Sequence, residues 1–203
     1  MSQEIYTLQR RSQLPNVIFA LLVINGLAFA LTVLGFVPST MALWPVDSQL
    51  FAPWQLLTYG FLHGGIGHIF FNMFGLWMFG RDLEHQFGSQ RFLVYYMTCV
   101  VGAGLVQLLV AAVQGGIYPT VGASGGVFGI LLAYGMSYPN RTILLLIPPI
   151  PMPAKYMVIL YGLLELYLGV SGNAPGVANF AHLGGMLFGL GLLLYWRNQG
   201  RRR

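Results

Sequence analysis

Residues 17–37 read VIFALLVINGLAFALTVLGFV and contain no charged side chain. A helix of about 20 mostly apolar residues is long enough to cross the hydrocarbon core of a bilayer. The run is too long for the apolar region of a signal peptide, and no cleavage-like site closes it. We therefore interpret it as a retained first transmembrane span, preceded by a short polar segment at residues 1–16.

The whole chain has the composition of a membrane protein. Of its 203 residues, 56% are hydrophobic and 7% are charged, whereas a soluble domain carries about 25% charged residues. The net charge of +5 does not indicate nucleic-acid binding, because the basic residues are scattered and form no face with interleaved aromatics. The single Cys99 excludes an intramolecular disulfide and indicates packing. We expect a lipid bilayer as the surroundings, and no nucleic acid, metal or cofactor.

Five further apolar segments follow the first span. The six predicted spans lie at about 17–37, 66–80, 92–113, 124–138, 154–170 and 178–196. Residues 141–153 contain four prolines, which disrupt helices, so we predict a surface-lying connector there. Residues 38–54 form a long segment with three prolines, and long ordered loops are usually functional. The predicted fold is an all-α membrane protein, a six-helix bundle with a structured first loop.

The distribution of Lys and Arg supports this arrangement. The basic residues all fall on one side of it: Arg10, Arg11, Arg81, Arg91, Arg141, Lys155, Arg197, Arg201, Arg202 and Arg203. The opposite connections, at about 38–65, 114–123 and 171–177, contain none. Cytoplasmic loops are enriched in Lys and Arg, so we predict a multi-pass protein of the cell inner (plasma) membrane. Both termini, including the basic tail at 197–203, would then be cytoplasmic.

Eight polar side chains in or beside the apolar spans mark a candidate site. They are Asn25, His63, His68, Asn72, Ser124, Glu165, Asn179 and His182. A charge at mid-helix costs on the order of 2.5–3.5 kcal/mol, so such groups usually face the protein interior or a cavity. Spans two, four and six run in the same direction, and His68, Asn72, Ser124 and His182 lie in their first one or two turns. These four groups therefore lie at similar depths.

A hydroxyl, an imidazole and an amide at one depth suffice for acyl transfer. A serine becomes a good nucleophile when a base takes its proton, and His182 could do this for Ser124 and later protonate the leaving amine. Asn72 and the free N–H groups at the start of span four could stabilise the oxyanion. The small residues around Ser124 keep its hydroxyl unobstructed.

We expect no carboxylate beside His182. Asp47 lies in the first loop, and Asp82 and Glu84 lie on the opposite side of the membrane. Glu165 lies in span five, about one turn from its end, and could be a gate residue, a buried partner or a water-facing carboxylate. The sequence therefore favours a Ser–His dyad over a triad.

Four motifs resemble those of the rhomboid family of intramembrane serine proteases, and the resemblance covers about residues 17–196. They are Gly122-Ala123-Ser124-Gly125 (GxSG), Ala181-His182-Leu183-Gly184-Gly185 with Gly189 (AHxxGxxxG), His68 to Asn72 (HxxxN), and Gly80 to Glu84 with Gly88 (GxxxExxxG). Each motif is weak alone, but their order within six spans is specific. Residues 17–196 would then form the catalytic domain.

The resemblance implies specific roles for these residues. Ser124 and His182 would be the catalytic dyad, and His68 and Asn72, with the Ser124 backbone N–H, would stabilise the oxyanion. Phe128 stands where many members have a tyrosine that stacks on the histidine, and Glu84 would tie loops together at the inner face.

The resemblance also implies how substrates are handled. The substrates would be single-span membrane proteins, and span five would lie near their lateral entry route. The first loop would be partly embedded in the membrane, and this chain has Trp54-Gln55 where the family often has Trp-Arg.

Other interpretations of the same residues stay open. Gly122–Gly125 could be a helix-packing face, and Gly185 and Gly189 are best explained as packing residues that let span six approach a neighbour such as span four. A catalytically inactive relative would bind membrane helices without cleaving them. A small transporter or channel would use His68, Asn72, Glu165 and His182 as a proton or solute path.

Overall fold

The computed structural model describes residues 15–115, 117–145, 149–173 and 176–201. Within these ranges the regular structure is helical apart from one short hairpin and two 3₁₀ turns. The helices are α1 (Asn16–Val33), α2 (Gln55–Thr58), α3 (Ile66–Phe87), α4 (Ser89–Gln114), α5 (Ser124–Ser137), α6 (Ala154–Ser171) and α7 (Asn179–Arg201), and the strands are β1 (Thr142–Leu144) and β2 (Pro151–Pro153).

Each of the six predicted spans coincides with one of the longer helices. Four of them, α1, α4, α6 and α7, are long and apolar enough to cross a membrane. The apolar helix α5 has 14 residues, and α3 has 22 residues but carries more polar side chains. The chain is thus an all-helical, multi-pass membrane protein, and the crossing of the bilayer by α3 and α5 stays a prediction.

The basic residues of different helices meet at one end of the bundle, here called the basic end. The Arg91 guanidinium lies 5.8 Å from the Trp196 ring centroid, which joins the start of α4 to the end of α7. Arg141, just after α5, is 2.6 Å from the Asp82 carboxylate near the end of α3. The other end, called the site end, carries residues 34–54 and the segment before α5, which are joined by paired hydrogen bonds between Leu43 and Thr120.

Helix α5 packs among α3, α4, α6 and α7 because its glycines let neighbours approach closely. A Cβ atom at Gly126 would overlap the Tyr96 ring and lie 2.9 Å from Val100. A Cβ atom at Gly129 would overlap Cys99, which is fully buried. The helix ends at Ser137 because Pro139 disfavours a helical conformation at Tyr138, the residue before it.

The fully buried Gln55 organises the first loop. Its side-chain NH2 group donates to the carbonyl oxygens of Thr40 (2.8 Å) and Leu50 (2.7 Å), and its side-chain oxygen accepts a hydrogen bond from the backbone N–H of Trp44 at 3.1 Å. An arginine at this position has no acceptor atom, so it could not make the third bond. Gln55 therefore holds the loop through a set of contacts suited to an amide.

The connector between α5 and α6 is an antiparallel hairpin rather than an irregular segment. Thr142 pairs with Pro153 and Leu144 with Pro151, while residues 146–148, including Pro148, lie outside the described ranges. Proline lacks a backbone donor but is tolerated in edge strands. The prolines that exclude a helix here are thus compatible with a short two-stranded ribbon.

Candidate active site

Ser124 and His182 meet at the site end of the bundle. Ser124 is the first residue of α5, His182 is the fourth residue of α7, and Ser124 Oγ lies 2.7 Å from His182 Nε2. The two helices touch at their glycines, since a Cβ atom at Gly185 would overlap the carbonyl group of Gly125. Small residues on both helices therefore bring the hydroxyl within hydrogen-bonding distance of the imidazole.

Phe128 fixes the plane of the His182 ring. It lies one turn after Ser124, and its ring stacks on the imidazole with centroids 4.3 Å apart and planes inclined by 5°. The Tyr161 ring of α6 packs edge-on against the Phe128 ring, with the two centroids 6.5 Å apart. The imidazole can therefore rotate little out of the plane in which Nε2 faces the serine.

His68 lies beside Ser124, across Gly122. The backbone N–H of Gly64 donates to His68 Nδ1 at 3.2 Å, so the neutral ring carries its proton on Nε2. A Cβ atom at Gly122 would lie 2.9 Å from His68 Nε2 and 3.4 Å from Ser124 Oγ. Gly122 also has φ of +138°, which favours glycine. This glycine leaves space between the His68 donor and the serine hydroxyl.

Asn72 lies one turn after His68 on α3. Its side-chain amide donates one hydrogen to the His68 carbonyl oxygen at 2.9 Å, and the residue is buried. Asn72, His68 and Ser124 line the same cavity, and the backbone N–H of Ser124 has no intrahelical acceptor at the start of α5.

These residues line one large cavity between α3 and α6. Its volume is about 1260 Å³, and Ser124, His182, His68 and Asn72 lie in its wall. Most of the remaining lining is apolar, including Phe71, Met78, Met157 and Tyr161. The cavity extends from the site end to Ile143 in the hairpin. It thus joins a polar, reactive end to a long apolar wall.

A carboxylate does lie beside His182, so the expectation of none is wrong. Glu165 Oε2 is 2.9 Å from His182 Nδ1, and the Asn179 side-chain amide donates to the same oxygen at 2.6 Å. The distance between Glu165 Oε2 and His182 Nδ1 is within the range of an ion pair. The oxygen lies off the direction of the ring N–H bond, so the two groups do not form a well-aligned hydrogen bond. Glu165 lies six residues before the end of α6, and His182 is the fourth residue of α7. Both residues therefore lie near the site end, and this similar depth is the signal in the sequence that points to their contact.

Comparison with known proteins identifies the family of this chain. A family model of the rhomboid domain matches residues 51–199. The chain belongs to the rhomboid family. It is 32% identical over 138 residues to the rhomboid protease GluP of Bacillus subtilis, covering 67% of this chain and 24% of GluP.

Two other relatives match over more of the chain. It is 31% identical over 193 residues to the mitochondrial Rhomboid protein 1 of Saccharomyces cerevisiae, covering 86% of this chain and 51% of that protein. It is 30% identical over 186 residues to the rhomboid protease GlpG of Yersinia pestis, covering 86% and 62% respectively. The chain therefore spans between about a quarter and three fifths of the length of these relatives.

Three residues of the rhomboid motifs, Glu84, Gly185 and Gly189, form contacts between helices. The buried Glu84 carboxylate, at the basic end, accepts hydrogen bonds from the backbone of Val17 (3.0 Å) and Ile18 (2.8 Å). Gly185 faces α5, the predicted neighbour, whereas Gly189 faces α4, where a Cβ atom would lie 3.0 Å from Cys99.

Three of the eight polar residues, Asn25, His63 and Glu165, do not line the cavity of this rhomboid domain. Asn25 donates to the Leu21 carbonyl oxygen within α1 at 2.7 Å. His63, between the first loop and α3, is buried with its ring centroid 5.1 Å from that of His68. Burial, and secondarily the neighbouring His68, lowers the pKa of His63 to about 4. His63 is therefore neutral at pH 7.

Proposed function

We propose that this rhomboid is an intramembrane serine endopeptidase that hydrolyses peptide bonds in or near the transmembrane segments of single-span proteins. The observation that carries the proposal is the 2.7 Å distance between Ser124 Oγ and His182 Nε2. This is the range in which a general base removes a proton. Three similar proteins bear the names of rhomboid proteases or of a rhomboid protein, which agrees with the chemistry.

The reaction follows from the positions of the donors and the base. His182 takes the Ser124 proton as Oγ attacks the peptide carbonyl carbon. The oxyanion that forms is stabilised by His68 Nε2–H, the Asn72 amide and the Ser124 backbone N–H. His182 then protonates the leaving amine, and water attacks the acyl-enzyme by the same route. Phe128 keeps the imidazole in plane through both steps.

The cavity suits a membrane helix that partly unwinds. Peptide carbonyls within a helix are hydrogen-bonded, so a scissile bond must leave the helix before attack, and freed backbone groups need polar partners. The apolar wall contributed by Phe71, Met78 and Tyr161 would contact the helical part of a substrate. Its unwound part would reach the polar end at Ser124, through a lateral entry beside α6.

The proposed topology places all six long helices across the bilayer of the cell inner membrane, with the basic end and both termini in the cytoplasm. Exposed apolar side chains of the first loop and α2, such as Leu50, Trp54 and Leu57, support a loop that is partly embedded in the membrane. The reactive cluster then lies just beneath the outer surface, where water reaches the serine.

The decisive experiment compares the purified wild type with Ser124→Ala and His182→Ala. Each is incubated in detergent with a panel of single-span substrates and, separately, with a fluorophosphonate that labels activated serines. We expect cleavage and labelling for the wild type only, with unchanged thermal unfolding in the variants.

Other outcomes distinguish the alternatives. Cleavage that persists in Ser124→Ala would remove this serine from the mechanism. A wild type that binds substrates without labelling or cleavage would be an inactive helix-binding relative, and solute flux in liposomes that survives Ser124→Ala would indicate a transporter.

A further inference from the structure

We infer that Glu165 is a positioning residue for His182, so that proton transfer at Ser124 depends on three side chains from three helices. The inference rests on the proposed protease function. Its geometric basis is the sequence of contacts from Ser124 Oγ to His182 Nε2 (2.7 Å) and from His182 Nδ1 to Glu165 Oε2 (2.9 Å).

The chemistry requires one particular form of the His182 ring. To accept the serine proton, Nε2 must be unprotonated, and the neutral imidazole then carries its hydrogen on Nδ1. His182 is buried, and a buried donor needs an acceptor. The Glu165 carboxylate is the nearest acceptor, with Oε2 2.9 Å from Nδ1, although this oxygen lies off the direction of the ring N–H bond. The negative charge of this carboxylate beside Nδ1 favours the tautomer that carries its hydrogen there, and it stabilises the imidazolium that forms during the reaction.

The carboxylate is itself held in place from α7. Asn179 lies one turn before His182, so both side chains project from the same face of that helix. The Asn179 amide donates to Glu165 Oε2 at 2.6 Å, which is the oxygen nearest to His182. Glu165 and Asn179 are both buried, and a charge at this depth is tolerated when it is paired. The two residues of α7 thus hold the carboxylate of α6 between them.

This arrangement also couples the base to the cavity. Glu165 belongs to α6, which lines the cavity beside the proposed substrate entry. Its contact with His182 exists only while α6 packs against α7 at the site end.

The test uses Glu165→Gln, which preserves volume and removes the charge, and Glu165→Asp, which retains the charge. The matched control is Asp82→Asn, the same chemical change at the basic end. The first readout is the labelling rate with a small fluorophosphonate, which reaches Ser124 without a substrate helix having to enter. The second is kcat and KM for a cleaved single-span substrate.

We expect Glu165→Gln to lower both the labelling rate and kcat on the order of 10²-fold, with KM within about twofold of the wild type. Glu165→Asp should recover part of the loss, and Asp82→Asn should match the wild type. If Glu165 had only a structural role, Glu165→Gln would lower the unfolding temperature, but it would not lower kcat at an unchanged KM. Glu165→Asp would then not recover the labelling rate.

Three results would overturn the inference in distinguishable ways. A Glu165→Gln labelling rate within twofold of the wild type would exclude positioning, and a changed KM with unchanged labelling would make Glu165 an entry residue instead. If Glu165→Gln does not fold, Asn179→Ala is the deciding variant, because it leaves the Glu165 carboxylate in place but removes the donor that holds it. An unchanged labelling rate in Asn179→Ala would overturn the positioning role of Glu165. A wild type that neither labels nor cleaves refutes the proposed function itself.

Discussion

Glu84→Gln should destabilise the protein strongly while leaving the chemistry of its folded fraction intact. Helix α1 begins at Asn16 after Pro15, which provides no side-chain cap. The second and third N–H groups of the helix, from Val17 and Ile18, donate instead to the two oxygens of Glu84 on α3. Ser89 Oγ donates to one of these oxygens at 2.5 Å. Glu84 is thus the N-terminal cap of α1, supplied by another helix.

The magnitude follows from this capping geometry. Loss of an N-terminal cap costs typically about 1 kcal/mol, and a hydrogen bond to a charged group is worth about 1.5–3 kcal/mol. Glutamine retains one oxygen but presents an NH2 group where the other oxygen accepted a backbone N–H, which leaves that donor unpaired. We therefore expect the free energy of unfolding to fall by roughly 2–4 kcal/mol for Glu84→Gln.

Equilibrium unfolding in mixed micelles with increasing sodium dodecyl sulfate would measure this loss. Asp82→Asn is the matched control, because Asp82 is partly exposed and its ion pair with Arg141 lies at the surface, where such pairs contribute about 1 kcal/mol or less. The fluorophosphonate labelling rate of folded Glu84→Gln should equal that of the wild type, since Glu84 lies about 18 Å from Asn72 along α3. A loss below about 0.5 kcal/mol, the usual range for a surface substitution, would refute the capping role.

Three further predictions concern packing, the first loop and pH. Gly185→Ala should abolish folding or activity, because its methyl group would overlap the Gly125 carbonyl group. Gly191→Ala should be tolerated, because no atom lies within 4 Å of the added carbon. Fluorophosphonate labelling of detergent extracts compares the two variants. Gln55→Ala should lower the free energy of unfolding by about 2–3 kcal/mol, measured in the same micelles, because it leaves several loop backbone groups without partners. The free energy of unfolding should also fall as the pH drops from about 6.5 to about 4. In this window His63 becomes protonated in the unfolded chain but not in the folded protein, where its pKa is lowered to about 4. Unfolding curves measured at several pH values should show a smaller fall for His63→Gln than for the wild type.

The sequence predicted the helices and the meeting of Ser124 with His182 because both depend on simple lengths. A run of about 20 apolar residues specifies a span whatever its neighbours are. Depth along a helix follows from 1.5 Å per residue, so groups near the same ends of parallel spans were expected in one layer. The hairpin at 142–153 was not predicted, because its prolines exclude a helix without specifying what replaces it.

The contact of Glu165 with His182 was missed because it depends on the rotation of α6 about its axis. In a soluble helix, apolar residues mark the buried face. In α6, however, the exposed Leu163, Leu164 and Leu166 are as apolar as the buried Met157, since lipid and protein interior have similar polarity. Hydrophobic periodicity therefore gave no direction for the helix, and the depth of Glu165 alone did not identify its partner.

The two buried glutamates of the described chain show how a few polar contacts can set the geometry of an apolar bundle. Between helices in lipid, apolar packing is weakly directional, while a carboxylate without a partner is costly, so its partners must stay in place. Glu84 fixes the start of α1 against α3 at the basic end, and Glu165 fixes α6 against α7 at the site end. The described hydrogen-bond partners of the Glu84 carboxylate lie on α1 and at Ser89, so none of them belongs to α6. Glu165 belongs to a helix that lines the cavity, so under the proposed function its contact with His182 would depend on the position of α6.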